Sequence, residues 1–245
     1  MVAARGGKVV NIENYEPGQP EYWEVAILDD DGFLWQYHHV DRDDIPQEIF
    51  EAYQQGTKIS DGTKIGTVVY WPVSTFGEQY HHIHLNILGA NKEYLNPFQF
   101  LESLEDNQSP VINEIALLKN GQKVTGTQVT GTYSLMLNAS DLILHQKFIV
   151  PPNAISVRVD GRDPVDVWQF NKLPGGSSNT AHVSRFFVPG LVCGNYNCRR
   201  PIMDLGFSLN EAQIFPTTKG QHEVTVTVSD FDGNTAHKDF SWTVN

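Results

Sequence analysis

A chain of 245 residues is long enough for one large or two ordinary domains, and 40% hydrophobic with 19% charged residues describes a globular protein with real cores to fill. A formal net charge of −12 disfavours a nucleic-acid phosphate backbone as partner. No apolar run approaches the length of a transmembrane segment.

In chain order, Lys8–Ile12 reads as a short strand, and Asn14–Pro20 as a polar loop. Glu21–Leu28 and Phe33–Val40 read as two strands of a hairpin around Asp29-Asp30-Asp31-Gly32, because Asp-Gly tolerates the positive φ of tight turns. The second of these ends in Tyr37-His38-His39-Val40. Asp41–Tyr53 carries apolar residues at Ile45, Ile49, Phe50 and Tyr53, a spacing that predicts a short helix. Gly56–Val68 places two short β segments around Gly62, which predicts a small hairpin, and Val68–Trp71 continues as strand.

The stretch Tyr80-His81-His82-Ile83-His84-Leu85-Asn86-Ile87 alternates apolar and polar residues. That pattern predicts a strand with His82 and His84 side by side on the polar face and Ile83, Leu85 and Ile87 buried. Two neighbouring imidazoles suit a metal ligand beside a proton-transfer group; a plain exposed strand with a wet polar face would look the same. His81 and His38 are expected to point away from His82 and His39 and to serve packing or the surface.

These pieces resemble the lysostaphin-type zinc metallopeptidases, which cut peptide cross-links in bacterial cell walls. Ala4-x-x-Gly7-Lys8-Val9-Val10 looks like the family's A-x-x-G-x-V strand, and Tyr37-x-His39-Val40 like its Y-x-H-L. Gly56-x-x-Ile59-x-x-Gly62-x-x-Ile65-Gly66 looks like G-x-x-V-x-x-G-x-x-I-G. His82-Ile83-His84-Leu85-Asn86-Ile87 resembles H-L-H-F-E-I, and Asn96-Pro97-Phe98-Gln99-Phe100-Leu101 resembles N-P-L-P-Y-L. The resemblance implies a zinc ligand at His84, catalytic roles at His39 and His82 beside the metal-bound water and the scissile carbonyl, and a peptidoglycan peptide or other peptide as substrate. It also implies a periplasmic or extracellular location in a bacterium, although Met1-Val2-Ala3-Ala4 shows no signal peptide. The family's other two zinc ligands come from an H-x-x-x-D motif upstream of the A-x-x-G-x-V strand, which this sequence does not include. His39-Val40-Asp41-Arg42-Asp43 has that spacing, but His39 already holds the Y-x-H place. The expectation is therefore part of a zinc metalloendopeptidase, inactive as this chain alone, with a non-catalytic module that binds cell wall or protein as the alternative. A third reading is an adhesion or scaffold protein dominated by the rest of the chain.

Beyond Leu101 the character changes. Glu102–Pro110 reads as a linker. Short β segments follow at Val111–Leu118, Thr127–Leu137, Ile155–Val159, Val165–Phe170, Val183–Val188, His222–Ser229 and Asp239–Val244, with Asp232-Gly233-Asn234 as a hairpin turn. Their number and spacing predict an antiparallel β-sandwich, similar in pattern to bacterial immunoglobulin-like modules. The fold class is thus all-β: a truncated lysostaphin-type peptidase fold over residues 1–104 and an immunoglobulin-like β-sandwich over 105–245. Asp230, Asp232 and Asn234 have calcium-binding chemistry, but a hairpin turn already accounts for them. Lys172–Thr180 reads as a flexible loop. The two cysteines, Cys193 and Cys198, suit a local disulfide around a Gly-Asn loop, with free thiols as the alternative.

Overall fold

The structure is a computed structural model that describes residues 1–71, 74–75, 78–79, 81–102, 106–142, 149–173, 186–188, 202–206 and 215–245. Cys193 and Cys198, residues 174–180 of the expected loop and residues 183–185 of the expected strand lie outside the described residues. The protein is all-β, with one α-helix among the described residues. The chain separates into two compact units, the first formed by Met1–Leu101 and the second beginning at Glu102.

The first unit contains β1 (Gly7–Asn14), β2 (Trp23–Leu28), β3 (Leu34–His38), α1 (Gln47–Gln55), β4 (Lys58–Ile59), β5 (Ser74–Thr75), β6 (Glu78–Gln79), β7 (His84–Leu88) and β8 (Tyr94–Leu95). Six of these strands form a sheet in the order β4-β1-β2-β3-β7-β8, and β5 and β6 form a separate two-stranded ribbon. Register decides which side chains meet. Ile27, Trp35 and Ile87 lie directly opposite one another across β2, β3 and β7, as do Val25, Tyr37 and Leu85. Side chains alternate along each strand, so these two rows share one face. That face is the core: Ile27, Trp35 and Ile87 are fully buried, together with Ile45, Ile49, Ala52 and Ile65. The helix presents Ile49 and Ala52 inward and stops at Gly56, whose φ of 66° lets its N–H donate back to the carbonyls of Ala52 and Tyr53.

Gly7 is fixed by a close approach. A Cβ there would lie 2.2 Å from the Leu28 carbonyl oxygen, so β1 can run against the end of β2 only without a side chain at that position. The two short segments around Gly62 do not pair with each other as the sequence predicts. Lys58 and Ile59 pair with Lys8 and Gly7 of β1, and Lys64 bridges Val2. The N-terminal segment offers unpaired backbone groups along its edge, and both segments satisfy these instead of folding onto themselves. Val68 likewise makes a single bridge, to Val40, rather than continuing as strand to Trp71.

The second unit contains β9 (Val111–Lys119), β10 (Gln122–Lys123), β11 (Gln128–Val129), β12 (Ser134–Leu142), β13 (Ile149–Val150), β14 (Ala154–Val159), β15 (Val165–Gln169), β16 (Ile202–Asp204), β17 (Gly220–Ser229) and β18 (Thr235–Val244). One sheet has the order β10-β9-β12-β13 with β16 also on β12, and the other the order β11-β18-β17-β14-β15. The segment expected as one strand over Thr127–Leu137 is divided: β11 pairs in parallel with β18, and β12 pairs antiparallel with β9. Inward rows from both sheets share one core. Leu117, Leu135, Leu137 and Ala139 come from the first sheet, and Val157, Val224, Val226, Val228 and Trp242 from the second. The Trp242 indole N–H donates to the Tyr133 hydroxyl, which donates to the Pro216 carbonyl, so the donor of this buried tryptophan is paired.

The hairpin between β2 and β3 yields a test. Asp29 Oδ1 accepts from the backbone N–H groups of Asp31 and Phe33, and Oδ2 accepts from the indole N–H of fully buried Trp35 at 2.8 Å. Asp29→Ala removes these acceptors and leaves a buried indole N–H unpaired. It should destabilise the first unit by about 1–3 kcal/mol, read as a lower urea midpoint by circular dichroism. A change within about 0.5 kcal/mol, usual for a surface turn, would contradict this assignment.

Candidate functional site

The face of the first sheet opposite its core is polar. Glu24, His38 and His84 lie opposite one another across β2, β3 and β7, and Ala26, Gln36 and Asn86 form the next row. Glu24 is buried, held by the side-chain amides of Asn11 at 2.9 Å and Gln36 at 3.1 Å, and stands 3.5 Å from His38 Nε2. Burial pushes its carboxyl up from the usual range, against those amide hydrogen bonds.

His38 is the last residue of β3 and is buried. Its ring lies 4.8 Å from that of its cross-strand partner His84, with Tyr15 edge-on at 5.1 Å. His84 is exposed, and its Nε2 donates to Asn86 Oδ1 at 3.1 Å, while the Asn86 amide donates to His38 Nε2 at 3.1 Å. This relay puts the His38 proton on Nδ1, a buried atom with no hydrogen-bond partner. Burial, reinforced by the adjacent His84 and His39 rings, pushes His38 down to about 4, so it is neutral at physiological pH.

His39 departs from strand geometry. Its φ of 64° is left-handed, which breaks the alternation that would send it to the face opposite His38. The backbone is held there from both sides: Val40 N–H donates to Trp23 O, and Val69 N–H donates to His39 O. The His39 ring therefore lies 6.0 Å from His84 and 4.7 Å from His82. Its Nδ1–H donates to the Glu21 carbonyl at 2.7 Å, leaving Nε2 with the free lone pair of a ligand or base. Burial lowers its pKa against that hydrogen bond. Trp71 packs at 4.6 Å on His39 and at 5.1 Å on His82, and Tyr22 at 5.7 Å on His39.

The structure thus gathers His39, His82 and His84, the three residues expected from the sequence, at one end of the sheet. It corrects how they get there. β7 begins at His84, so His82 precedes the strand and is not the near strand neighbour that alternation predicts. His82 packs on His39, whereas His84 packs on His38 as well as on His39. His38, expected at the surface or in packing away from His39, joins the cluster as a fourth imidazole. His81 packs on Tyr70 at 5.4 Å and accepts from the Trp71 backbone N–H. Asp43 lies exposed in a short turn, where its N–H is capped by the Asp41 carboxylate.

These residues do not supply the three convergent ligands of a catalytic zinc site. Among the described residues, no three His, Cys, Asp or Glu side chains of the first unit bring ligand atoms within 4.8 Å of one another. Glu24, the carboxylate beside His38, is held by Asn11 and Gln36. What the arrangement does offer is a patch of imidazoles that donate and accept, flanked by aromatic faces.

No family model matches the chain, and no curated protein matches it. Among solved structures, dimeric latent PorU from Porphyromonas gingivalis is similar at 13% identity with a TM-score of 0.34, covering 100% of this chain and 19% of that one. The extracellular domain of BT4673 from B. thetaiotaomicron is similar at 12% identity with a TM-score of 0.26, covering 98% of this chain and 25% of that one. The chain therefore spans a quarter or less of either protein. No helix among the described residues is long and apolar enough to cross a membrane.

The depressed His38 pKa has a signed consequence. Between about 4 and the ordinary value of 6.5, the unfolded chain binds a proton at this position that the folded chain does not. His38 should therefore cost stability progressively as pH falls through that window. In metal-free protein, its ring carbon resonances should titrate with a midpoint near pH 4, and His38→Gln should flatten the fall in Tm between pH 6.5 and 4.5. A His38 midpoint near 6.5 would show that the ring is solvated.

Proposed function

We propose that the first unit is a lysostaphin-type peptidase-like domain that holds peptide without hydrolysing it through the residues present here, joined to an immunoglobulin-like sandwich. The observation that carries this reading is the cluster of His38, His39, His82 and His84 with Trp71 and Tyr22. Imidazoles and aromatic faces suit peptide: the rings pair with amide N–H and C=O groups, and Trp71 supplies apolar area at small entropic cost. The five motifs quoted above support the family and point to peptidoglycan cross-link peptides as the ligand class, and hence to a site of action in the bacterial periplasm or outside the cell.

Zinc belongs to this reading only through the family resemblance. His84 holds the place of one family ligand, and His39 and His82 hold the places of the groups beside the metal-bound water. They are given no hydrolytic step, because among the described residues of the first unit no set of three ligands converges. His39 is the best placed of the four to accept a proton or hydrogen bond from bound peptide, since the Glu21 carbonyl fixes its tautomer.

The test combines zinc analysis, release of new amino termini from cross-linked muropeptide, and calorimetric titration of the same peptide after preincubation with EDTA. The chain should carry well under one zinc per molecule and release no amino termini above background. It should still bind the peptide, and His39→Ala and His84→Ala should each weaken binding by roughly tenfold, the loss of about one hydrogen bond. Stoichiometric zinc with sustained cleavage would overturn the non-hydrolytic reading. Unaltered binding in both variants would remove the cluster from the binding site.

A further inference from the structure

The second unit carries acidic residues where its core pattern calls for apolar ones. Along β12, Leu135, Leu137 and Ala139 are fully buried in the sandwich core, and the next residue of that inward row is Asp141. Along β17, Val224, Val226 and Val228 do the same, and the next is Asp230. The two rows belong to different sheets, so each sheet ends its inward row in a carboxylate. Asp141 and Asp230 are each only 5% exposed. A third carboxylate arrives from the entering segment at Asp106, and oxygens of all three lie within 4.8 Å of one another.

The local hydrogen bonds organise this group without neutralising it. The Asn234 backbone N–H and side-chain amide donate to the two oxygens of Asp230, and the same amide donates to the Asp106 carbonyl at 2.8 Å. Asp106 Oδ1 accepts from Gln108 N–H. Asp141 Oδ1 is different: it is buried and has no hydrogen-bond partner. Among the described residues, no ion pair neutralises any of the three carboxylates. Burying three like charges together, one with an unpaired oxygen, is costly unless a cation shares them.

We propose that Asp106, Asp141 and Asp230 bind a calcium ion that closes the end of the sandwich core. The donors are all carboxylate oxygens, the preference of a hard cation, with neither imidazole nor thiolate among them. The three carboxylates each bring an oxygen within 4.8 Å of the others, close enough to share one ion with Ca–O distances of about 2.3–2.6 Å. Magnesium demands near-ideal octahedral geometry and gives up its water reluctantly, which suits carboxylates fixed on separate segments less well. The site differs from the Asp230, Asp232 and Asn234 turn, which reads in the sequence as a plain hairpin. Asn234 orients the ligands from outside rather than coordinating, and Asp141 enters from the other sheet. Burial and the neighbouring Asp230 and Asp106 hold the Asp141 carboxyl up at about 6, as expected of clustered acids before a cation arrives. The inference is independent of what the histidine cluster binds.

Calorimetric titration of the full chain at pH 7.5 should show one calcium per molecule, with magnesium at equal concentration far weaker. Tm in 1 mM calcium should exceed that in EGTA by at least about 3 °C, because the folded state alone assembles the ligands. Asp141→Asn gives the sharper signature. It should raise Tm in EGTA, by relieving repulsion, and abolish the calcium-dependent rise; a residue with only a structural hydrogen-bonding role would lower Tm in both. Absence of calcium heat and of any Tm shift in the unaltered chain would overturn the proposal. So would a calcium response that survives in both Asp141→Asn and Asp230→Asn, since the ion would then bind elsewhere.

Discussion

The first unit depends on one backbone conformation, the left-handed turn at His39. A regular strand would have placed His38 and His39 on opposite faces, one in the polar sheet face and one in the core. With φ at 64° the chain leaves β3 at once, and Val40 turns inward to the core while His39 stays beside His38 and His84. An L residue enters this region at a cost of the order of 1 kcal/mol, and the surrounding hydrogen bonds hold it. Those from Val40 to Trp23, from Val69 to His39 and from His39 Nδ1 to Glu21 tie the turn to β2 and to the segment leading to Trp71. The imidazole cluster and its aromatic flank follow from this one local choice.

Much of the fold was legible in the residues. The Asp-Gly hairpin, the helix over Gln47–Gln55 and the strand bearing Leu85 and Ile87 all follow from periodicity and turn chemistry, and so do the long alternating strands of the second unit. The all-β class follows with them. The short segments around Gly62 were not legible, because two residues of β pattern cannot specify a partner, and the free edge of the N-terminal segment outcompeted their mutual pairing.

The candidate site was half legible. His39, His82 and His84 carried a signal through motif and spacing. His38 did not, since alternation assigns it to the far side from His39, and only the left-handed turn brings both together. Glu24 had a weaker signal available in the polar alternation of Glu24, Gln36 and His38. Trp71 had none, because its place beside His39 depends on a loop path that no periodicity encodes. The acidic group of the second unit shows the same limit: Asp141 and Asp230 are far apart in sequence, and each reads as a strand end until the two sheets are laid face to face.

The central claim is that peptide is held at the imidazole cluster of the first unit. The most direct measurement is mapping of histidine ring and tryptophan indole resonances during titration of metal-free protein with cross-linked muropeptide. The rings of His39, His82 and His84 and the Trp71 indole should shift together and saturate with one affinity, while Trp168 and Trp242 of the second unit stay unmoved. Shifts confined to the second unit, or none at the cluster under saturating peptide, would contradict the account.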